Sequence, residues 1–361
     1  MTKTFSLAQV VQPHVSAIKP YEPHLYDHVI RLDANENPLP FPEDLMKEIF
    51  ATASRIGFPR YPDPYSAKLR AKLGNYTEVQ TKNIIAGNGS DELILSLMLA
   101  FGGPGSRIII PVPTFAMYKM ASLMTGAIPV EVPLQEDYSL NLQLIKAELA
   151  QEGSRLVYLC SPNNPTGKIV PDDEVRAVCL AAGDKAVVVL DEAYCEFAGR
   201  NSAHLLEELP NLIILRTFSK AFGLAGLRVG YLLAGDPIIA ELLKVKLVYN
   251  LNSFSQVAAE LVMDNREVFR QQLADIQQLK EELKVGLEAI PGIKVFPSEA
   301  NFFLIQTAKP ADRIHQQLIE LGVLVRYLGA GPGLVNCLRI SVGSKEENSE
   351  LLSKLRAIME A

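Results

Sequence analysis

No stretch of this 361-residue chain approaches the ~18 consecutive apolar residues that a membrane-spanning helix needs; the longest, Leu93 to Phe101, is broken by Ser96. A helical membrane protein is therefore not expected. The first residues, Met1-Thr2-Lys3-Thr4-Phe5-Ser6, lack the apolar core of a secretion signal, so the expected setting is cytoplasmic. Cysteine is scarce. The four, Cys160, Cys179, Cys195 and Cys337, show no paired spacing, which argues against a disulfide framework and a zinc site and leaves them as reduced small hydrophobes. None of the five histidines falls in a metal-type cluster. Positive charge is in deficit, with 35 Lys and Arg against 41 Asp and Glu, and the net charge of -6 argues against a nucleic-acid-binding surface.

What is present is ordinary for a soluble globular chain: 48% hydrophobic and 21% charged residues, with length for about two domains. Residues 1–30 carry prolines at 13, 20 and 23 without periodicity and read as an extended arm of the kind that packs on a partner subunit. From residue 83 a short aliphatic run, a polar or Gly/Pro turn and a helical stretch recur. The runs are Asn83–Ile85, Arg107–Ile110, Ile128–Val132, Leu156–Cys160, Ala186–Leu190, Leu212–Leu215 and Val229–Leu233. Runs of this length with little polar alternation suit strands buried on both faces, so the expected class is α/β with a mostly parallel seven-stranded sheet flanked by helices. Near Ser255 the texture changes. Residues 256–290 are charged and helix-periodic, predicting one long or kinked connecting helix, and a smaller α+β domain follows. The expected organisation is an arm at 1–30, a large domain at 31–255 and a small domain at 256–361.

Ligands of open parallel sheets bind beyond the carboxyl ends of the strands, and the chemically unusual residues all follow strand ends. After Ile84-Ile85 come Gly87-Asn88-Gly89-Ser90-Asp91, a tight turn into a helix whose free N–H groups could take an anion; a plain helix cap accounts for it equally. After Arg107–Ile110 comes Phe115, placed to stack on a flat ring or to fill the core. After Leu156–Cys160 comes Ser161-Pro162-Asn163-Asn164-Pro165-Thr166-Gly167, two asparagines held between prolines. Asp191 ends the apolar run Ala186–Leu190, where an acid is costly unless paired, so a positive partner is expected. Leu212–Leu215 leads into Arg216-Thr217-Phe218-Ser219-Lys220, with Arg228 beyond it. A lysine there is desolvated and near positive charge, both of which lower its pKa and free its amine as a nucleophile.

Pyridoxal phosphate needs such groups together: a lysine for its aldehyde, a helix N-terminus with hydroxyls and an arginine for its phosphate, a carboxylate for its ring nitrogen, and donors for its phenolic oxygen. Ser161–Gly167, Asp191-Glu192-Ala193-Tyr194 and Ser219-Lys220-Ala221-Phe222-Gly223 resemble the motifs of the fold-type-I pyridoxal-phosphate aminotransferases. Leu32-x-x-Asn35-Glu36-Asn37-Pro38 and Arg60-Tyr61-Pro62-Asp63 are similar to the histidinol-phosphate aminotransferase branch, and the likeness runs from Lys19-Pro20-Tyr21 to Leu338–Gly343.

The resemblance implies an aspartate-aminotransferase-like large domain and assigns roles to residues. Lys220 would form the Schiff base and shuttle the proton, Asp191 would pair with the ring nitrogen, and Asn164 and Tyr194 would bond the phenolic oxygen. Phe115 would lie against the ring. Gly89, Ser90, Asp91, Thr217, Ser219 and Arg228 would surround the phosphate, with Tyr61 supplied by the other subunit of a homodimer. Arg339 would bind the substrate's anionic end, assisted by Arg326, with Tyr21 and Asn35 lining the pocket. From its residues alone, Arg339 on an alternating strand serves equally as a solvated edge arginine. The activity so implied exchanges an amino group between L-histidinol phosphate and 2-oxoglutarate, giving imidazole acetol phosphate and L-glutamate, in L-histidine biosynthesis. An aromatic amino acid aminotransferase and a threonine-phosphate decarboxylase are alternatives on the same scaffold, and a non-catalytic ligand-sensing module is a third.

Overall fold

The seven aliphatic runs are the seven strands of one sheet. In chain order the strands of the molecule are β1 Ile30–Leu32, β2 Ile84–Gly87, β3 Arg107–Val112, β4 Ile128–Pro133, β5 Ser154–Cys160, β6 Val187–Asp191, β7 Leu212–Thr217, β8 Gly230–Ala234, β9 Ile293–Val295, β10 Phe302–Thr307, β11 Val323–Tyr327 and β12 Cys337–Ser341. They come from a computed structural model that describes residues 5–7, 10–18, 26, 29–57, 59–329, 331 and 333–361. The large sheet has the order β2-β8-β7-β6-β5-β3-β4. Its strands are parallel except β8, which runs antiparallel to both β7 and β2.

The lack of polar alternation has its cause in the packing. Successive residues of the central strands enter two separate apolar cores. Ile108, Tyr158, Val189, Ile213 and Leu232 face one side, while Ile109, Val157, Val188, Ile214 and Leu233 face the other. The first side is covered by helices 90–101, 117–124 and 236–245, which fold back over the strands as crossover connections do.

The second sheet has the order β1-β11-β12-β10-β9 and is antiparallel apart from the β1–β11 pair. Two features depart from the sequence expectation. Ile30–Leu32, read as the border of the arm and the large domain, is a strand of this smaller sheet, paired with Val323–Val325. At three residues it is too short to declare a period. The connecting helix is two helices, Ser253–Asp264 and Arg266–Glu288, parted at Asn265, whose backbone leaves helical geometry at ψ 24 and whose side chain bonds Leu261 O at 3.0 Å.

The carboxyl ends of β5, β6 and β7 lie side by side, since Cys160 pairs with Asp191 and Asp191 with Leu215. Because β8 is antiparallel, its beginning lies at that same edge, with Gly230 opposite both Thr217 and Gly87. No side chain fits at Gly230: a Cβ there would stand 2.6 Å from Ser90 N. Behind this edge a buried ion pair joins β6 to β7. Arg216 Nε donates to Glu192 Oε2 at 2.9 Å, and Nη2 lies 2.7 Å from the same oxygen at an angle that makes it an ion-pair contact rather than a second hydrogen bond. Glu192 Oε1 also accepts from Ser202 N at 2.6 Å. Removing one member of a buried pair strands the other. Glu192→Ala is expected to lower the unfolding free energy by ~3–5 kcal/mol, read as a fall in the denaturant midpoint; an unchanged midpoint would show that Arg216 finds other partners.

Candidate active site

Asp191 sits at the last position of β6 with 3% of its surface exposed, because the apolar strand carries it under the sheet edge. Its Oδ2 accepts from the Tyr118 hydroxyl at 2.7 Å and its Oδ1 from Ala193 N at 3.1 Å. Burial raises its pKa to about 6, against the lowering effect of those two donors, and Asp91 and Glu192 push it further up. No salt bridge to Asp191 occurs among the described residues. Among the described residues, the positive partner that its position demands is not a side chain.

Lys220 follows β7 by three residues and its Nζ donates to Ala34 O at 2.7 Å. Burial lowers its pKa to about 8; Arg339 and Arg228 lower it as well, and Glu36 opposes them. The amine lies 6.0 Å from the centre of the Tyr194 ring. Tyr194 OH accepts from Asn35 Nδ2 at 2.9 Å, and burial pushes this phenol up to about 12 although Arg339 and Asn35 act the other way. Asn35 is itself buried, at φ 53, and is fixed by Ser341, whose hydroxyl accepts from Asn35 N at 2.9 Å and donates to its Oδ1 at 3.1 Å.

Arg339 comes from the middle of β12 in the other sheet and is 7% exposed, which removes the solvated-edge reading. Its Nη1 donates to Asn164 Oδ1 at 2.6 Å, its Nη2 donates to Asp33 O, and its guanidinium lies 5.5 Å from the Phe302 ring centre. The two asparagines of the proline-bounded loop thus do different things. Asn163 braces the loop, accepting from Thr114 at 2.7 Å and donating to Pro113 O and Thr166, while Asn164 reaches Arg339.

At the antiparallel edge Arg228 Nη2 meets Asp91 Oδ2 at 3.1 Å, and its Nη1 lies 3.4 Å from Ser219 Oγ, which in turn accepts from Thr217 at 3.0 Å. Gly89, at φ 81, brings the start of helix 90–101 against this arginine; a Cβ would stand 2.6 Å from Arg228 Nη2. The cap differs from the sequence expectation. Gly89 is the N-cap, Ser90 is the first helical residue, and no side-chain cap bond forms. Phe115 is half-buried and meets Tyr118 edge-on at 5.6 Å.

Two expected residues are not in this cluster, and a third cannot be placed in it or outside it. Tyr61 is 80% exposed, with its ring stacked on Tyr249 at 4.4 Å. Arg326 is exposed at the end of β11, although it is the cross-strand neighbour of Arg339. Tyr21 lies outside the described residues. Conversely, Tyr118, Ser341 and Phe302 touch the site and were not singled out from sequence. Each lies in an apolar run where an aromatic or a small hydroxyl residue reads as core, so no sequence signal marked them.

The residues fit pyridoxal phosphate. A buried carboxylate without an ion-pairing side chain suits a protonated pyridine nitrogen, a desolvated amine suits an aldehyde, and the glycine-opened helix N-terminus beside Arg228, Ser219 and Thr217 suits a phosphate.

Comparison with known proteins agrees. The aminotransferase class I and II family model matches residues 27–355. Over 95% of this chain and 96% of its own length, the histidinol-phosphate aminotransferase 1 of Carboxydothermus hydrogenoformans is 47% identical. The histidinol-phosphate aminotransferase of Caldanaerobacter subterraneus subsp. tengcongensis is 40% identical over 98% of this chain and 99% of its own. Among solved structures, the histidinol-phosphate aminotransferase of Sinorhizobium meliloti in complex with pyridoxal-5'-phosphate superposes with a TM-score of 0.89 at 26% identity, covering 100% of this chain and 99% of that one. The chain therefore belongs to the class I and II aminotransferase family, in its histidinol-phosphate aminotransferase branch, and is a pyridoxal-phosphate-dependent transaminase.

Proposed function

We propose that the enzyme exchanges an amino group between L-histidinol phosphate and 2-oxoglutarate, forming imidazole acetol phosphate and L-glutamate, with glutamate as amino donor in the physiological direction of L-histidine synthesis. The observation that carries this reading is a buried Lys220 amine on Ala34 O, flanked by two separately held guanidiniums, Arg339 of β12 on Asn164 and Arg228, just before β8, on Asp91 and Ser219. Arg228 belongs to the edge where the cofactor's phosphate is held, and Arg339 to the side left for the substrate's anionic end. The relatives named for histidinol phosphate support the choice of substrate.

Pyridoxal phosphate, when bound, supplies a protonated ring that draws electrons from the substrate's α-carbon. Asp191 holds the proton on the ring nitrogen, and its buried position keeps water from competing for it. Asn164 and Tyr194 would donate to the phenolic oxygen, and Phe115 would lie against the ring. Gly89, Ser90, Asp91, Thr217, Ser219 and Arg228 would surround the phosphate, Asp91 by holding Arg228 in place. Lys220 would hold the cofactor's aldehyde as an imine, with loss of water, and once the substrate's amine had displaced it, its free neutral amine would be the base that moves the α-proton. Arg339 would orient the substrate by its anionic group, with Asn35 beside the same loop; Tyr21 and Arg326 are assigned to this pocket by the family resemblance alone. The four free, buried cysteines support a reducing, cytoplasmic setting.

Tyr61 is assigned to the partner of a homodimer, where it would reach the partner's cofactor phosphate. Support comes from exposed apolar side chains in the two segments that meet at Tyr61, Tyr65 in its own and Leu247 and Val248 beside its stacking partner Tyr249, at 60%, 69% and 65% exposure. Sedimentation should give twice the 39.7 kDa chain mass, and a monomer with full activity would sink the assignment.

Steady-state assays should give kcat/KM for histidinol phosphate with 2-oxoglutarate at least about 10-fold above those for phenylalanine and tyrosine, the order expected of one well-placed charge-assisted contact. Equal values would point to an aromatic aminotransferase, and release of carbon dioxide without a keto product to a decarboxylase.

The amine of Lys220 is nucleophilic only when neutral. With its pKa lowered to about 8, capture of pyridoxal phosphate by the cofactor-free protein should rise about tenfold per pH unit below pH 8 and level off above it. Lys220→Ala should retain the cofactor through its phosphate, lose the absorbance of the lysine-bound form and lose nearly all turnover. A variant keeping that absorbance would refute the assignment.

A further inference from the structure

The carboxylate at the end of β6 has a neighbour that the proposed chemistry does not use. Tyr118, on helix 117–124, is fully buried, and its hydroxyl lies 2.7 Å from Asp191 Oδ2, the length of a short bond to a charged oxygen. Its ring cannot swing away. It is stacked on Tyr158 at 4.4 Å with an interplanar angle of 7°, and Phe115 closes on its edge at 5.6 Å. With Ala193 N on Oδ1, the Tyr118 hydroxyl fixes both oxygens of the carboxylate.

We propose that Tyr118 is a positioning residue for transamination: its hydroxyl keeps Asp191 ionised and aimed, so that Asp191 in turn keeps the cofactor's ring nitrogen protonated. The inference rests on the reading that Asp191 pairs with that nitrogen. The other titratable neighbours offer Asp191 no such help. Tyr158 and Cys160 on β5 and Tyr194 beyond β6 are pushed upward by burial and stay neutral, while Glu192 and Asp91 add negative charge that favours the protonated acid. Burial alone drives the carboxyl towards neutrality, and the Tyr118 hydroxyl opposes it. The hydroxyl of Tyr158 provides an internal comparison. It belongs to the stacked partner ring, is equally buried, and has no hydrogen-bond partner among the described residues.

The test uses the holoenzyme reconstituted with pyridoxal phosphate labelled with nitrogen-15 in its ring. In the wild type and in Tyr158→Phe the nitrogen resonance should report a protonated ring at neutral pH. In Tyr118→Phe it should move towards the neutral-ring position, the acidic limb of the kcat/KM profile should shift up by about one pH unit, and turnover should fall about 10- to 100-fold. The sign follows from the donor: without it the carboxyl protonates at higher pH, so the ionised form is lost sooner as pH falls. Replacing Tyr118 with 3-fluorotyrosine, a stronger donor of the same shape, should move the limb the other way, and this variant carries the test if the phenylalanine does not fold. An unmoved resonance and limb in Tyr118→Phe, or the same shift in Tyr158→Phe, would overturn the proposal. A neutral ring nitrogen in the wild type would instead overturn the role of Asp191 itself.

Discussion

A carboxylate placed under the end of an apolar strand is the constraint around which this molecule is arranged. Asp191 is buried by the strand that delivers it and has no ion-pairing side chain among the described residues, so its ionised form is expensive until a cation arrives. The adjacent acid shows the contrast. Glu192, one residue on, points behind the edge and is paired with Arg216, which makes it part of the framework. Two neighbouring acids thus take opposite environments because alternate residues leave the strand end in opposite directions.

The reversal of β8 is the second determinant. Were the sheet parallel throughout, Arg228 would belong to the opposite edge from Lys220. Antiparallel pairing sets Gly230 against Thr217 and Gly87, and the absence of a side chain there lets the helix beginning at Ser90 approach the backbone. Amine, hydroxyls, guanidinium and helix N-terminus therefore converge although they lie up to 140 residues apart in the chain, a span fixed by Gly89 and Arg228 at the two sides of the cradle.

Neither sheet completes the site alone. Arg339 of β12 is held by Asn164 from the large sheet's loop and by Asp33 O, and the segment after β1 is tied down by Asn301, whose Nδ2 donates to Asn35 O at 3.1 Å and Glu36 O at 3.2 Å. The same segment offers Ala34 O to the Lys220 amine. Distortion of β1 would thus reach the amine through three peptide units, which makes the position of a three-residue strand matter more than its size indicates.

Much of the fold was legible because burial on both faces leaves an unbroken aliphatic signature, and all seven such runs are strands of one sheet. Its loop residues stood out only as a set, because each has an ordinary explanation alone and only their shared place after strand ends is unusual. Ile30–Leu32 and Ile293–Val295 were not, since three residues cannot express a period. Tyr118 was not, because a buried aromatic looks the same in sequence whether or not its hydroxyl meets a carboxylate, as comparison with Tyr158 shows. The sequence by itself determined the class of fold, the lysine and the acid, through local pattern and the cost of burying charge. Only the tertiary structure decided which direction β8 runs, that Arg339 is buried rather than solvated, and which hydroxyl touches Asp191, because each depends on contacts between segments far apart along the chain.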